Sequence, residues 1–338
     1  MSGTYVGLAV LVVAGMMNAS FALPMKFMRR WSWENIWMAF SFLAMAVFPA
    51  LAAWATVPHL AAVFHSTPVS VIGTVVLCGL GWGGAQILFG LAVDWIGIAL
   101  TFALVLGTSA GAGALVPLIS QHRDRLNTPA GYGVLAGVFL VFAGVLTCAY
   151  AGRQRERATG TSSSTGKNIT LGLALAIICG LAASLMNLGV VYGEPLRHSA
   201  LLFGAREANI TNAVWFPLLN SGAIPNILYC LWLMKKNDSA KKFGSGGINY
   251  WALSCMMAAF WLGSLLLYGL AFTHLGPLGP ILGWPLFMSL CVIVASLLGM
   301  ITGEWKNSGT APLRIQWAGV VLLIIAVSVL AVTSRYLS

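Results

Sequence analysis

Ten stretches of this chain are long and apolar enough to cross a lipid bilayer, and little is left between them. They fall at about 4–23, 35–55, 70–93, 97–117, 131–151, 170–192, 209–234, 250–273, 280–302 and 313–334. A spanning helix needs roughly 20 predominantly apolar residues. The expected fold is therefore an all-α polytopic membrane protein with ten transmembrane helices. Only 8% of the 338 residues are charged, against about 25% in soluble domains. So few charges cannot coat a water-facing surface, and lipid must be the solvent for most of the chain. The 38 glycines suit close helix packing in a bilayer, where small residues let backbones approach. The net charge of +10 sits in short loops between apolar runs. That is the pattern of membrane topology rather than of nucleic-acid binding.

The six cysteines fall in six different apolar segments with no Cys-x-x-Cys spacing. They read as small core residues, and no metal or cofactor is expected. No basic region precedes the first apolar run, which leads straight into Lys26, Arg29 and Arg30, so it reads as a retained span.

Lysine and arginine set the expected orientation. Lys26, Arg29, Arg30, Arg153, Arg155, Arg157, Lys167, Lys235, Lys236, Lys241, Lys242, Lys306 and Arg314 lie in odd-numbered loops. Arg123, Arg125, Arg197, Arg206 and Arg335 lie on the other side. The positive-inside rule puts the larger set in the cytoplasm and both termini outside. The expected location is the bacterial inner membrane, with the oligomeric state open.

Segment three returns in segment eight. Trp82-x-Gly84-x4-Phe89-Gly90-Leu91-Ala92-x4-Gly97 is matched without a gap by Trp261-x-Gly263-x4-Tyr268-Gly269-Leu270-Ala271-x4-Gly276. Gly7-Leu8-Ala9 and Gly172-Leu173-Ala174 give a weaker echo. Residues 152–169 are basic and rich in Ser, Thr and Gly, which marks a flexible joint. The expected organisation is a five-helix repeat at 1–151, a linker at 152–169 and a second five-helix repeat at 170–338. Five is odd, so the halves enter the membrane in opposite senses. Inverted repeats of this kind enclose a central site and rock about it.

Polar side chains inside spans are costly and therefore informative. Trp82, Gln86 and Phe89 share one helix face, and Trp261, Leu265 and Tyr268 repeat it. Gly180, Ser184, Asn187, Val191 and Glu194 form another stripe. Asn18, Asn220, Asn226 and Trp284 complete the set. Amides both donate to and accept from hydroxyls, and aromatic faces stack on sugar rings. The expected substrate-binding residues are Asn18, Trp82, Gln86, Asn187, Asn220, Trp261, Tyr268 and Trp284. The plainer alternative is that the amides tie helices together and the indoles fill the core. Trp31, Trp33, Trp37 and Trp95 sit near span ends and read as interfacial belt residues. The site is expected among segments 1, 3, 4, 6, 8 and 9 with 7 contributing, and segments 5 and 10 peripheral.

Acidic residues number eight and none lies plainly at mid-membrane. A proton-coupling group would come from Glu194, Asp94 or His274; for Glu194 the alternative is a salt bridge with Arg197 at i+3.

Several motifs resemble the L-rhamnose–proton symporters of the drug/metabolite transporter superfamily. These are Pro24 and Lys26 followed by Trp31-Ser32-Trp33-Glu34-x-x-Trp37; Trp82-Gly83 with Gly90 and Gly97; Pro117; Asn220-x-Gly222-x3-Asn226; Trp284 with Ser289; and Glu304-Trp305-x-Asn307-x-Gly309. The resemblance runs nearly end to end. It implies alternating access and proton-coupled uptake of a deoxy-sugar, with the two Trp-containing loop motifs as structural or gating elements. An exporter or facilitator of another small metabolite is the competing transport class. A membrane enzyme or sensor finds no support, since no metal-spaced cluster, Gly-x-Ser-x-Gly or phosphate loop occurs.

Overall fold

The computed structural model describes residues 2–160, 169–276, 279–303, 305, 306 and 308–337, the side chains of residues 2–4, 94, 98, 99 and 334–337 aside. No strand occurs among the described residues. Ten candidate membrane spans follow one another: span 1 (Tyr5–Phe27), span 2 (Trp33–Thr56), span 3 (Val69–Val93), span 4 (Leu100–Gln121), span 5 (Pro129–Ala158), span 6 (Ile169–Leu202), span 7 (Glu207–Lys236), span 8 (Gly247–His274), span 9 (Gly279–Ile301) and span 10 (Thr310–Thr333).

Span 6 continues ten residues beyond the expected end at 192. It is broken into helices Ile169–Ala183, Leu185–Tyr192 and Glu194–Leu202. At the first break Ser184 Oγ bonds back to the Leu181 carbonyl at 2.6 Å, a local bond that competes with the helical ladder. At the second, Pro195 opens the next helix, where its missing N–H costs nothing. The last piece carries Glu194, Arg197 and His198, which hid it from an apolar reading. Span 2 contains a π-turn at Phe42–Val47 just before Pro49.

Span 1 packs on spans 8 and 9, and span 6 on spans 3 and 4. Span 7 packs on spans 2 and 3, and span 2 on span 8. Span 4 meets span 9, and span 5 meets span 10. Exchanging spans 1–5 for spans 6–10 in order maps this pairing onto itself. The tightest approach joins spans 3 and 7. A Cβ at Gly79 would lie 2.0 Å from the Leu218 carbonyl oxygen, and one at Gly83 would lie 2.2 Å from that of Gly222. These glycines are one helical turn apart, so one small-residue stripe lets the two backbones touch.

Candidate substrate site

The two tryptophans of the internal repeat meet in space. Trp82 on span 3 stacks on Trp261 on span 8, with ring centroids 5.7 Å apart and planes 22° from parallel. Both are buried. Gly222 makes room for this, since a Cβ there would come 2.8 Å from the Trp82 ring. Phe40 on span 2 meets Trp261 edge-on at 5.7 Å, so span 2, which the sequence did not place at the site, supplies a wall. Asn18 donates to Ser264 Oγ at 3.0 Å, and Ser264 in turn donates to the Trp261 carbonyl at 2.6 Å. Gln86, one turn from Trp82, is half-buried.

A second cluster joins spans 4, 6, 8 and 9. The Tyr268 hydroxyl donates to Asn187 Oδ1 at 2.5 Å, and both residues are fully buried. Trp284 lies edge-on to Tyr268 at 5.6 Å, and its indole N–H donates to Ser109 Oγ at 3.0 Å. Gly113 clears the space for that indole, because a Cβ there would sit 2.4 Å from its Cδ1. Tyr268, Asn187, Trp284, Trp82 and Trp261 are thus brought together in two adjoining aromatic groups, linked by span 8.

Two of the asparagines have a specific structural task. Pro117 inside span 4 has no N–H to offer the carbonyl four residues back. That carbonyl belongs to Gly113, and Asn187 Nδ2 donates to it at 2.9 Å. Pro49 likewise leaves Met45 without its helical donor, and Asn220 Nδ2 reaches the Met45 carbonyl at 3.2 Å and that of Ala46 at 3.4 Å. Each amide mends a proline break in another span, Asn187 on span 6 serving span 4 and Asn220 on span 7 serving span 2. Asn226 works similarly as a tie: its Oδ1 accepts from Trp37 Nε1 at 3.0 Å, and its amide donates to Gly83 and Gly222 carbonyls.

The coupling candidates fare differently. Glu194 is exposed, lining two hollows of about 530 and 360 Å³. These fall in the size range of small-ligand pockets. It makes no ion pair with Arg197, whose guanidinium instead lies over the Phe272 ring at 4.8 Å. His274 is exposed at the end of span 8, against Gly7, and does not join the aromatic groups. The Asp94 side chain, with Glu304 and Asn307, lies outside the described residues.

Around Tyr268 several buried donors lack partners. Arg197 Nε, Trp215 Nε1 and Thr211 Oγ1 are sealed from solvent with no hydrogen bond. A Cβ on Gly269 would meet Thr211 Oγ1 at 2.3 Å and Trp215 Nε1 at 3.1 Å. Buried polar groups are normally satisfied, so such a concentration calls for an explanation.

A further cluster escaped the sequence reading. Trp31 is not a belt residue: it is buried and meets Phe243, Tyr250 and Trp251 edge-on at 5.0–5.4 Å. Trp37 also turns inward, to Asn226, with only Trp33 among these three left exposed. Glu34 is 5% exposed. Its carboxylate accepts from Ser239 Oγ at 2.6 Å and from Asn237 Nδ2 at 3.1 Å. Arg30 donates to the Ser245 carbonyl and Lys242 to Ser32 Oγ. The signal was there to read: a carboxylate in the first turn of an apolar span, within a Trp-rich motif, is costly to bury unless something receives it.

Ten apolar spans, one of them a broken helix, define a polytopic membrane protein. The profile of the L-rhamnose-proton symport protein family matches residues 2–334. The chain belongs to that family. It is similar to the L-rhamnose-proton symporters of Yersinia pestis (strain Pestoides F) and Yersinia pseudotuberculosis (strain YPIII), at 26% identity over 319 residues, covering 92% of each chain. The symporter of Citrobacter koseri is 27% identical over the same share.

Proposed function

We propose that the protein is a secondary transporter that imports a monosaccharide of the L-rhamnose type together with protons, by alternating access, across a bacterial inner membrane. The observation that carries this is the Trp82–Trp261 stack inside a chain of this family. The stack is an aromatic platform at the middle of both spans, built by equivalent positions of an internal repeat. The self-mapping span pairing supports two inverted halves, spans 1–5 and spans 6–10, joined at 152–169. The basic face carries the larger set of lysines and arginines and is assigned to the cytoplasm, which leaves both termini outside.

Within this reading Trp82, Trp261, Tyr268 and Trp284 offer ring faces to the sugar, and Gln86 a free amide. Asn18, Asn187 and Asn220 hold the helices that carry those groups, and reach substrate only by exchanging an internal partner for a hydroxyl. Of the coupling candidates, Glu194 has the position for the role, since it lines both hollows. The test is uptake of labelled L-rhamnose into proteoliposomes with and without an inward proton gradient. The expected result is accumulation that needs the gradient and is lost in Trp82→Ala and Trp284→Ala proteins that still elute as folded species. Full uptake by both variants would displace the site, and gradient-independent equilibration would make the protein a facilitator.

A further inference from the structure

The connections after span 1 and after span 7 interlock on the basic face, and positive charge gathers along their seam. Arg30 donates through its backbone N–H to the Tyr250 hydroxyl at 3.2 Å and through its guanidinium to the Ser245 carbonyl at 3.3 Å. Lys242 crosses the other way, to Ser32 Oγ at 2.6 Å. Arg29 stands beside Arg30 in the chain. Lys235 and Lys236 end span 7 just before Asn237, which reaches Glu34. All five cations are exposed. The bonds across the seam go to neutral oxygens, which leave the charge in place.

Two acids face this seam and neither cancels it. Glu34 acts on Lys242 as a countercharge, but it is buried, and its Oε1 already accepts from Ser239 and Asn237. Asp238 pairs with Lys241. Among the described residues no ion pair joins Arg29, Arg30, Lys235 or Lys236 to an acid. On the opposite face Arg123, Arg125 and Arg206 alternate with Asp124 and Glu207 along the chain, so no comparable excess builds up.

The rim of the seam is apolar. Phe27, Trp33, Trp232, Ile248 and Trp251, at the ends of spans 1, 2, 7 and 8, are large and exposed. Lys236 Nζ lies over the Trp232 ring at 5.0 Å, so cation and interfacial aromatic share one level. A soluble phosphate would meet only the cations, whereas a phospholipid meets both cations and rim.

We propose that an anionic phospholipid of the phosphatidylglycerol type binds at this seam. Its headgroup phosphate is shared by Arg29 and Arg30 of one connection and Lys236 and Lys242 of the other, and its acyl chains run along the exposed aromatics. Basic clusters at span ends recruit anionic lipid, each cation adding to the attraction. One headgroup thereby bridges two connections that must part if this face opens. The site does not depend on which solute is carried.

The test is thermal stabilisation of the purified protein, in neutral detergent at low salt, by dioleoylphosphatidylglycerol against dioleoylphosphatidylcholine, with glycerol phosphate alongside. A ligand that binds only the folded state raises the melting temperature by mass action. The expected result is an apparent affinity for the anionic lipid roughly tenfold or more tighter than for the zwitterionic one, falling as salt is added. Arg29→Gln with Lys236→Gln should abolish most of that preference. Arg153→Gln with Arg157→Gln, which removes the same charge from exposed residues at the end of span 5, should keep it. Arg29→Gln alone, at an exposed residue, should lose part of it and decides the matter if the double variant does not fold. Equal stabilisation by both lipids would overturn the proposal. So would an equal loss in the two double variants, which would make the attraction one of diffuse charge. Stabilisation by glycerol phosphate as strong as by the lipid would replace the phospholipid with a soluble anion.

Discussion

The two faces of the molecule close in unequal ways. On the basic face the connection between spans 1 and 2 meets the connection between spans 7 and 8. Trp31 is enclosed by three aromatic rings, and Glu34 is buried on Ser239 and Asn237. On the opposite face the equivalent partners are the short helix Leu60–Ser66, between spans 2 and 3, and the last helix of span 6. They are joined by Ser66 and Ser199, hydroxyl to hydroxyl at 2.5 Å, and by Ser199 to the Val63 carbonyl at 3.4 Å. Beside them lie both hollows, lined by Glu194. Aromatic pairs add about 0.5–1.5 kcal/mol each beyond burial, and hydrogen bonds to a charged group about 1.5–3 kcal/mol. A neutral hydroxyl pair adds about 0.5–1.5 kcal/mol. Between these two pairs of elements the stronger contacts therefore lie on the basic face, and the conformation described is hollowed on the opposite one. On the proposed inverted-repeat reading, equivalent positions carry unequal locks, and the difference sets which face opens first.

The largest expected effect on this asymmetry comes from Trp31→Ala. Removing a buried indole costs about 3–5 kcal/mol, all of it from the sealed state. A cysteine placed at Ala39, which is 2% exposed, reports the seal in a background where the exposed Cys255 is serine. Its maleimide labelling should accelerate by at least a hundredfold in Trp31→Ala. An unchanged rate would show that the aromatic cluster is not the lock.

Glu34→Ala comes next, at about 2–3 kcal/mol, because Ser239 loses a charged acceptor while remaining buried and the exposed Asn237 loses its bond to the carboxylate. Labelling at the same cysteine should rise by tens of fold, and Glu34→Gln, which keeps the shape, should fall between. If Glu34→Gln behaves as wild type, the charge contributes nothing and packing alone holds the face.

The smallest effect belongs to Ser66→Ala on the opposite face, about 0.5–1.5 kcal/mol. A cysteine at Val63, buried beneath that hydroxyl pair, should label only a few fold faster. A change as large as that of Trp31→Ala would erase the contrast between the faces.

Much of this architecture was legible in the sequence because lipid imposes length. Nine of the ten spans fall within a few residues of where hydropathy put them, apart from added turns at some ends. Span 6 was cut short because its last helix carries Glu194, Arg197 and His198, and a window of apolar residues cannot see a helix that faces a hollow. The site was half legible. Register between Trp82 and Trp261 forecast equivalence, and the structure makes them neighbours. Chain spacing alone could not show what Asn187 and Asn220 bond to, since their acceptors, the Gly113 and Met45 carbonyls, lie on other spans. The position of Glu34 was visible, but not its burial, which depends on a loop about 200 residues further on.

The mending of Pro117 by Asn187, and of Pro49 by Asn220, has a practical corollary for mutagenesis. Replacing either asparagine singly strands a carbonyl in a dry interior, and the resulting defect would mimic the loss of a sugar contact. The double variant Asn220→Ala with Pro49→Ala returns the helix its own donor and tells scaffolding from recognition, whereas Asn187→Ala with Pro117→Ala still leaves the buried Tyr268 hydroxyl without its acceptor.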